Sequence, residues 1–217
     1  MRNFELIVFD WDGTLMDSTV AIVRAMCAAS RDLDLPEPSD AQARQVIGLG
    51  LAEALATAVP ELTPSRYDEM VARYRHHYLA RDQELSLFDG AQTLLERLAK
   101  EGYRLAVATG KSRHGLTRAW THTGVRPLFH ASRCADECFS KPHPQMLHEL
   151  MDELGAQAEA TLMIGDTAHD MLMANNAGVA ALGVSYGAHP VAHLTECEPL
   201  ACVHSVEELD SWLLQHG

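Results

Sequence analysis

The length, composition and charge of this chain limit the functions open to it. Its 217 residues, 47% hydrophobic and 22% charged, are typical of a globular protein with a substantial core. A net charge of −13 argues against nucleic acid or an anionic membrane surface as partner, because phosphate groups on such partners are bound mainly by Lys and Arg.

The first predicted element is a buried strand, near residues 4–10, that ends in two aspartates. The apolar run Leu6-Ile7-Val8-Phe9 is followed by Asp10-Trp11-Asp12-Gly13-Thr14. Side chains alternate along a strand, so Asp10 and Asp12 are expected on one face and Trp11 on the other. Gly13 is expected to end the strand.

Residues 17–86 contain helical patterns and no convincing strand. Asp17-Ser18 predicts the start of a helix, and Pro36-Glu37-Pro38 its end. A short helix is expected near residues 40–47, and Thr63-Pro64 predicts the start of another. Apolar and aromatic residues at helical spacing follow the first and last of these starts: Val20, Val23 and Cys27 in the first helix, and Tyr67, Met70, Val71, Tyr74 and Tyr78 in the last.

The second half of the chain alternates between predicted strands and helices. One helix carries an apolar stripe that Gly155 ends, and another begins with a capping box from Ser205 to Glu208. The alternation predicts an α/β fold with a doubly wound parallel, Rossmann-like sheet. The expected strands lie near residues 104–109, 128–131, 160–165, 180–184 and 201–204.

A second aspartate pair, Asp166 and Asp170, follows the strand expected at 160–165. Open α/β sheets bind their ligands at strand ends of this kind. Carboxylates gathered there repel one another, so they either raise a pKa or hold a hard cation through oxygen ligands. We expect Mg²⁺ as the cofactor.

Phosphate-binding groups occur between the two aspartate pairs. Thr109 and Gly110 follow a strand, where a hydroxyl and backbone N–H groups can hold phosphate oxygens, and Lys141 offers a compact positive charge. A nucleophilic aspartate, a second carboxylate two residues later and a divalent cation together predict phosphoryl transfer through an aspartyl-phosphate.

Four motifs in this order resemble the haloacid dehalogenase superfamily of hydrolases, on its phosphatase side and close to its phosphoglycolate phosphatase branch. They are Asp-x-Asp-Gly-Thr at 10–14, Thr-Gly at 109–110, Lys-Pro at 141–142 and Gly-Asp-x-x-x-Asp at 165–170. The resemblance spans nearly the whole chain, and four motifs in order, each at a predicted strand end, are far more specific than any one of them.

The resemblance implies a role for each aspartate. Asp10 would be the nucleophile and a Mg²⁺ ligand, and Asp12 the general acid and base that binds the metal through its backbone carbonyl. Asp166 would be the second side-chain ligand. Asp170 would be either a direct ligand or a partner of metal-bound water.

The resemblance also implies the phosphate site. Thr109 and Gly110 would bind the phosphoryl group, and Lys141 would pair with that group and with Asp10. Two departures stand out: many relatives carry Asn in place of Gly110, and His169 stands where Asn is common in the phosphoglycolate branch. The first puts the carry-over of substrate in doubt.

The implied organisation is a core domain with a helical cap domain inserted into it. The core would comprise residues 1–16 and 87–217, and the cap residues 17–86, with hinges near 15–18 and 82–89. A closing cap would exclude water during phosphoryl transfer and would select the substrate.

Weaker signals concern substrate contacts and other metals. Arg44 and Gly48, beside a turn between cap helices, and His143, near Lys141, are candidate substrate contacts. Cys134 and Cys138 lack the spacing of a redox pair. One further set has residue types that suit zinc, but its spacing matches no closed zinc site: His189, His193, Cys197, Cys202 and His204.

The predicted function is Mg²⁺-dependent hydrolysis of a small anionic phosphate monoester, with phosphoglycolate as the leading candidate. A phosphomutase or a pyrophosphatase of the same family remains open. Asp12 and Asp166 argue against a dehalogenase, and the complete set of site residues argues against a non-catalytic binding protein. The sequence leaves open whether the chain is a monomer or a homodimer.

The expected location is the cytoplasm, without a membrane partner. The apolar run before Asp10 is too short for the core of a signal peptide, and Glu5 precedes it. No stretch approaches the length of a membrane span. Five cysteines, without the pattern of a small secreted domain, suit a reducing compartment.

Overall fold

A computed structural model describes residues 3–217, and its centre is a sheet of six parallel strands. The strands lie side by side in the order β3-β2-β1-β4-β5-β6, which confirms the expected doubly wound α/β fold. Their bounds are β1 Leu6–Phe9, β2 Arg104–Thr109, β3 Ala131–Cys134, β4 Thr161–Gly165, β5 Ala180–Val184 and β6 Ala201–Val203.

The central strand β1 fixes where the functional edge of the sheet lies. It is apolar throughout and completely buried, as parallel strands covered on both faces are. Its register places Phe9 beside Val107 of β2 and Ile164 of β4. The chain order reverses on either side of β1, so the carboxyl ends of β1, β2 and β4 border the crevice where such sheets bind ligands.

Helices cover both faces of the sheet, and four more helices form a separate group. Helices α5, α6 and α10 pack on one face, and α7, α8 and α9 on the other. The bounds are α1 Thr19–Asp32, α2 Asp40–Gln45, α3 Leu51–Ala58, α4 Tyr67–Leu79, α5 Ala91–Lys100, α6 Arg113–Thr123, α7 Gln145–Leu154, α8 Ala168–Ala177, α9 Val191–Thr195 and α10 Val206–His216.

Helices α1 to α4, here called the helical unit, have a hydrophobic core of their own. Met26, Leu55 and Met70 are fully buried in it, and Ala188 from the sheet side also contacts this core. The two chain segments that connect the unit to the sheet run together, because the N–H of Asp17 donates to the Ser86 carbonyl at 3.0 Å.

An aromatic cluster supports the end of β1 from behind. Trp11 is fully buried, and its ring meets those of Trp120 and Phe129 edge-on, with centroids 6.4 Å away in both cases. Trp120 and Phe129 stack on each other at 5.8 Å. Trp11 therefore lies on the opposite side of the chain from the two aspartates that flank it, as strand alternation predicts.

Several predicted boundaries are confirmed and others are corrected. Helix α7 ends before Gly155, which has a φ of 63°. Strand β3 lies three residues later than predicted, because the N–H groups of Leu128 and Phe129 bond to Val125 and Arg126 within a short turn instead of to the sheet. In the stripe predicted for α1, Val23 and Cys27 pack in the core of the helical unit, but Val20 is 45% exposed, and Ile22 and Met26 complete the packed face.

None of the helices within residues 3–217 has the length and apolar character needed to cross a membrane. All five cysteines are free thiols in the structure, including Cys134 and Cys138.

Candidate active site

Three carboxylates meet at the carboxyl edge of the sheet. Asp10 follows β1, Asp166 follows β4, and Asp170 lies in the first turn of α8. The backbone N–H of Asp10 donates to the Ile164 carbonyl at 2.9 Å, which ties the two strand ends together. One carboxylate oxygen from each aspartate lies within 4.8 Å of the others, and all three residues are buried. We call them the carboxylate cluster.

Lys141 is the cation of this cluster. Its Nζ donates to Oδ1 of Asp10 and to Oδ1 of Asp170, each at 2.6 Å, and its side chain is fully buried. Burial alone lowers the pKa of Lys141, but the two carboxylates outweigh this effect and raise the pKa above its usual value. The lysine is therefore a fixed positive charge between the strand end and α8.

Asp166 is held by donors on both of its oxygens. The Thr14 hydroxyl donates to Oδ1 at 2.8 Å, and the Ala188 N–H donates to Oδ2 at 2.7 Å. Gly13, with a φ of +87°, passes so close that a Cβ there would lie 2.2 Å from Oδ2. Glycine is therefore required by both the backbone conformation and the space.

The N-terminus of α8 orients Asp170. Asp170 forms a capping box with Thr167, whose hydroxyl and backbone N–H donate to Oδ2 at 2.7 and 3.1 Å. The remaining oxygen, Oδ1, accepts from Lys141. Two elements of the fold thus fix the direction of this carboxylate before any ligand binds.

The donor set fits a hard divalent cation. Burial raises the pKa of Asp10 well above its usual value, although Lys141 opposes this. Burial and the neighbouring charge of Asp170 raise the pKa of Asp166 to about 7. Oδ2 of Asp10 is buried without a hydrogen-bond partner. A cation bound by one carboxylate oxygen from each aspartate would offset the repulsion between the three groups.

Across the part of the chain that the structure describes, the carboxylate cluster is the group of His, Cys, Asp and Glu side chains close enough to hold a metal. The histidines and cysteines near the C-terminus do not form a second one. His189 instead accepts a hydrogen bond from the Ala168 N–H at Nδ1, and burial lowers its pKa to about 4. His189 and His169 both place Nε2 beside the Gln45 carbonyl of the helical unit, at 3.2 and 2.9 Å.

Asp12 has a different environment from the cluster. Its Oδ1 accepts from the Ser18 hydroxyl at 2.6 Å and lies 3.0 Å from Nζ of Lys111. The same Nζ donates to the Tyr78 hydroxyl of α4 at 3.0 Å. Asp12 is therefore linked to the helical unit through a serine at its first helix and a tyrosine on its last.

Sequence reasoning missed the two partners of Asp12 and the tyrosine that Lys111 contacts. The sequence predicts that Ser18 caps α1, but its side chain makes no cap hydrogen bond and turns to the carboxylate instead. Lys111 directly follows the Thr-Gly motif, and that adjacency was the available signal. Tyr78 belongs to a stripe expected in the core of the helical unit, yet it lines a cavity.

A cavity of about 1240 Å³ separates the sheet edge from the helical unit. Asp10, Asp12 and Thr109 lie on its sheet side, and Tyr74 and Tyr78 on its helical side. The volume lies above the range of about 300–1,000 Å³ found for clefts that hold drug-sized ligands. The space accommodates a substrate larger than its phosphoryl group alone.

Gly110 lies where the helical unit comes nearest to the sheet. A Cβ at this position would be 2.4 Å from the Leu49 carbonyl oxygen and 2.6 Å from that of Gly48. These are backbone atoms, so the loop would have to move to admit any side chain. The closeness of that loop therefore explains why residue 110 is a glycine.

The structure brings together most of the predicted site residues, but not all of them. Gly48 and Gly110 line the cavity, and the buried Thr109 accepts at Oγ1 from the Lys111 N–H at 3.2 Å. Arg44 instead pairs with Asp40 at 2.8 Å, one helical turn away on the same helix. His143 is exposed and packs its ring 4.7 Å from that of Phe139. Neither Arg44 nor His143 lines the cavity.

The sequence and the fold are both similar to those of known hydrolases. The family model described as haloacid dehalogenase-like hydrolase matches residues 7–184. The chain is 37% identical over 210 residues to a probable phosphatase, IndB, of Dickeya dadantii, covering 94% of this chain and 91% of the relative. It is 32% identical over 213 residues to a phosphoglycolate phosphatase of Vibrio cholerae, covering 92% of both.

A solved structure shares the whole architecture. The crystal structure of a predicted phosphoglycolate phosphatase from Haemophilus somnus 129pt superposes with a TM-score of 0.85 at 28% sequence identity. The match covers 96% of this chain and 97% of that one.

Proposed function

The chain belongs to the haloacid dehalogenase-like hydrolase family as a phosphatase, and we propose that it hydrolyses a small phosphate monoester through an aspartyl-phosphate on Asp10, with Mg²⁺ as cofactor. The observation that carries the proposal is the buried Oδ2 of Asp10, which has no hydrogen-bond partner while Lys141 holds Oδ1. Lys141 thus orients Asp10 through Oδ1, and Oδ2 is free to act as the nucleophile next to Asp12.

In the first step Oδ2 of Asp10 attacks phosphorus, and the bond from phosphorus to the ester oxygen breaks. Asp12 donates a proton to the leaving oxygen as that bond breaks. The contacts to Asp12 from Ser18 and Lys111 both fall on Oδ1, which leaves Oδ2 to meet the substrate. In the second step Asp12 takes a proton from a water that attacks the phosphorus of the aspartyl-phosphate, releasing inorganic phosphate and restoring Asp10.

The remaining residues balance negative charge and position the phosphoryl group. Lys141 balances the charge of Asp10 and of the phosphoryl oxygens, and the hydroxyl of Thr109 and the backbone of Gly110 bind those oxygens. Mg²⁺, held by the carboxylate cluster and by the backbone carbonyl of Asp12, would neutralise charge on the phosphoryl group when bound.

We propose further that the helical unit is a cap domain of residues 17–86 on a core of residues 1–16 and 87–217. The separate hydrophobic core of the unit and its paired connecting segments support this division. A cap at this position keeps bulk water from the aspartyl-phosphate and contacts the non-reacting part of the substrate.

A small substrate such as 2-phosphoglycolate is the leading candidate, supported by the name of the Vibrio cholerae relative. Asp12 and Asp166 favour phosphoryl transfer over dehalogenation, which needs neither Mg²⁺ nor a proton for a leaving alkoxide. The free thiols of all five cysteines support a reducing compartment such as the cytoplasm.

Phosphate release from 2-phosphoglycolate, sugar phosphates, nucleotides and pyrophosphate tests the proposal, with Mg²⁺ and with excess chelator. Wild type should release phosphate only with the metal, and acid-quenched protein should carry phosphate on one aspartate. Asp10→Asn should lose both signals, whereas Asp152→Asn, at an exposed position on α7, should keep both. Turnover that survives in folded Asp10→Asn would contradict the mechanism.

A further inference from the structure

Lys111 is a second buried lysine at the site, and it is held in place from several directions. Its N–H donates to the Thr109 hydroxyl at 3.2 Å, and its carbonyl accepts from the Ala135 N–H at 3.0 Å. Its side chain is only 12% exposed and lines the cavity between sheet and helical unit. Both the backbone and the side chain are therefore positioned before a substrate arrives.

The ammonium group of Lys111 has unused hydrogen-bonding capacity. The group is charged and carries three N–H donors. Tyr78 takes one of them at 3.0 Å, Asp12 forms an ion pair with the group at 3.0 Å, and no other described residue accepts from it. A buried cation with a donor to spare therefore lines the cavity that would receive an anionic compound.

The position of Lys111 separates its role from that of Lys141. Lys141 is bonded to Asp10 and Asp170, on the side of the group being transferred. Lys111 is bonded to Asp12, the residue that protonates the leaving oxygen, and to Tyr78 beyond it. A general acid lies within about 3 Å of the oxygen that it protonates, so Lys111 faces the leaving part of the substrate.

Other cations that line the cavity are less suited to this role. Arg118 pairs with Asp82 near the outer rim, and its side chain is 41% exposed. Arg75 lies on an exposed part of α4. Neither has a contact with Asp12 among the described residues.

We propose, resting on the phosphatase function above, that Lys111 determines substrate specificity by binding a second anionic group on the leaving part of the substrate. That group is a carboxylate or a phosphate whose charged oxygens lie two or three bonds from the leaving oxygen, so that they reach Nζ while Asp12 reaches the leaving oxygen itself. The substrate class is accordingly a phosphate monoester with an anionic leaving group or a pyrophosphate, and monoesters with an uncharged leaving group are poor substrates.

Matched substrates of similar size test this assignment. The values of kcat/KM are measured for 2-phosphoglycolate, pyrophosphate and ethyl phosphate, whose leaving group is uncharged, in wild type and in Lys111→Met, Lys111→Arg and Lys100→Met. Lys111→Met keeps the length of the side chain without its charge, and Lys100 is an exposed lysine on α5 that serves as the matched control. Whichever anionic compound wild type prefers identifies the second group as carboxylate or phosphate.

Wild type should prefer an anionic compound over ethyl phosphate. Lys111→Met should lower kcat/KM for that compound by about 10- to 100-fold, mainly through KM, because one charge-assisted hydrogen bond is lost. The ratio of kcat/KM for that compound to kcat/KM for ethyl phosphate should fall by a similar factor. Lys111→Arg should recover much of this ratio, and Lys100→Met should have the wild-type ratio.

Two results would overturn the assignment while leaving the phosphatase function intact. One is a fall in kcat/KM in Lys111→Met that is equal for the preferred anionic compound and for ethyl phosphate. The lysine would then only support Asp12. The other is wild-type turnover of ethyl phosphate as efficient as that of both anionic compounds. No phosphate release by wild type from any compound would instead overturn the phosphatase proposal and this one together.

Inhibition of wild type decides the question even if Lys111→Met does not fold. Glycolate carries the carboxylate of the product, and glycolamide is its uncharged counterpart. Glycolate should inhibit hydrolysis at concentrations about tenfold lower than glycolamide does. Equal inhibition by the two compounds would overturn the assignment.

Discussion

The carboxyl edge of the sheet and the helical side of the cavity are built in opposite ways. At the sheet edge Asp166, Asp170 and Lys141 each have two hydrogen-bond partners and are completely buried. Across the cavity, Tyr74 and Val71 are half-buried and expose flat or apolar surface to it. The contrast indicates a fixed chemical centre opposite a surface whose side chains can differ without disturbing that centre.

Only a few contacts join the two regions close to the chemistry. Ser18 and Tyr78 reach Asp12 from the helical unit, the second through Lys111. The Gln45 carbonyl faces two histidines of the sheet side. If the two regions have separate tasks, substitutions at the sheet edge should affect all substrates alike, and those in the helical unit should affect binding or local stability.

The largest effect is expected at Asp12. Asp12→Asn keeps the shape of the side chain but removes the proton that the leaving oxygen needs, so kcat should fall by about 10²- to 10⁴-fold for every ester. Steady-state phosphate release across the substrate panel measures this. Phenyl phosphates with good leaving groups should lose less, and an equal loss for good and poor leaving groups would argue against the acid role.

A substitution in the core of the helical unit should separate the two regions by stability. Met70→Ala leaves a cavity in that core and should lower its free energy of unfolding by about 2–5 kcal/mol. Urea unfolding followed by hydrogen exchange should show early opening of α1 to α4 while the sheet stays protected. Met146→Ala is the matched control, since Met146 is fully buried against the sheet instead. If α1 to α4 opened equally early in both variants, the helical unit would not have a stability separate from that of the sheet.

Gly110 tests how closely the two regions must approach each other. Gly110→Ala places a methyl group against the Gly48 and Leu49 carbonyls, so the loop must shift away from the sheet. We expect KM to rise by about tenfold with a smaller change in kcat, because contacts to the non-reacting part of the substrate are lost. Gly115→Ala, on α6 in ordinary contact distance of its neighbours, is the control. An unchanged KM in Gly110→Ala would show that the loop can move without weakening substrate binding.

The smallest effect is expected at Ser18. Ser18→Ala removes one of the two donors to Oδ1 of Asp12 and should lower kcat about fivefold, the equivalent of one ordinary hydrogen bond. Stability should change little from loss of capping, since this serine does not cap α1. Comparing kcat and thermal unfolding of Ser18→Ala with those of Ser65→Ala, an exposed serine of the same unit, separates the two contributions.

Sequence reasoning reached the carboxylate cluster because its members all follow strands or begin a helix beside one. The carboxyl ends of parallel strands meet at one edge, so Asp10 and Asp166 can be brought together without knowing any contact. The same logic places Thr109 at that edge. The doubly wound character of the sheet follows from the alternation of strands with helices.

The sequence alone does not predict the helical side of the cavity, for a physical reason. Its geometry depends on contacts between residues distant in sequence, such as Lys111 and Tyr78, and no local pattern encodes them. The substrate contact of Arg44 stays a prediction, since its guanidinium pairs with an aspartate one turn earlier on α2 and does not line the cavity. His143 lies two residues from Lys141, yet the chain turns it outward to Phe139.

The aromatic cluster behind β1 lets residues far from the cavity influence turnover. Trp11 stands between Asp10 and Asp12 in sequence, and its ring packs against Trp120 and Phe129 on the far face of the sheet. The peptide that carries Asp10 and Asp12, the proposed catalytic carboxylates, is thus anchored from behind. A map of harmful substitutions drawn by distance from the proposed phosphate site would overlook Phe129, although a smaller side chain there would let Trp11 shift. The buried indole of Trp11 also gives the protein an intrinsic fluorescent reporter of movement beside Asp10, the proposed nucleophile.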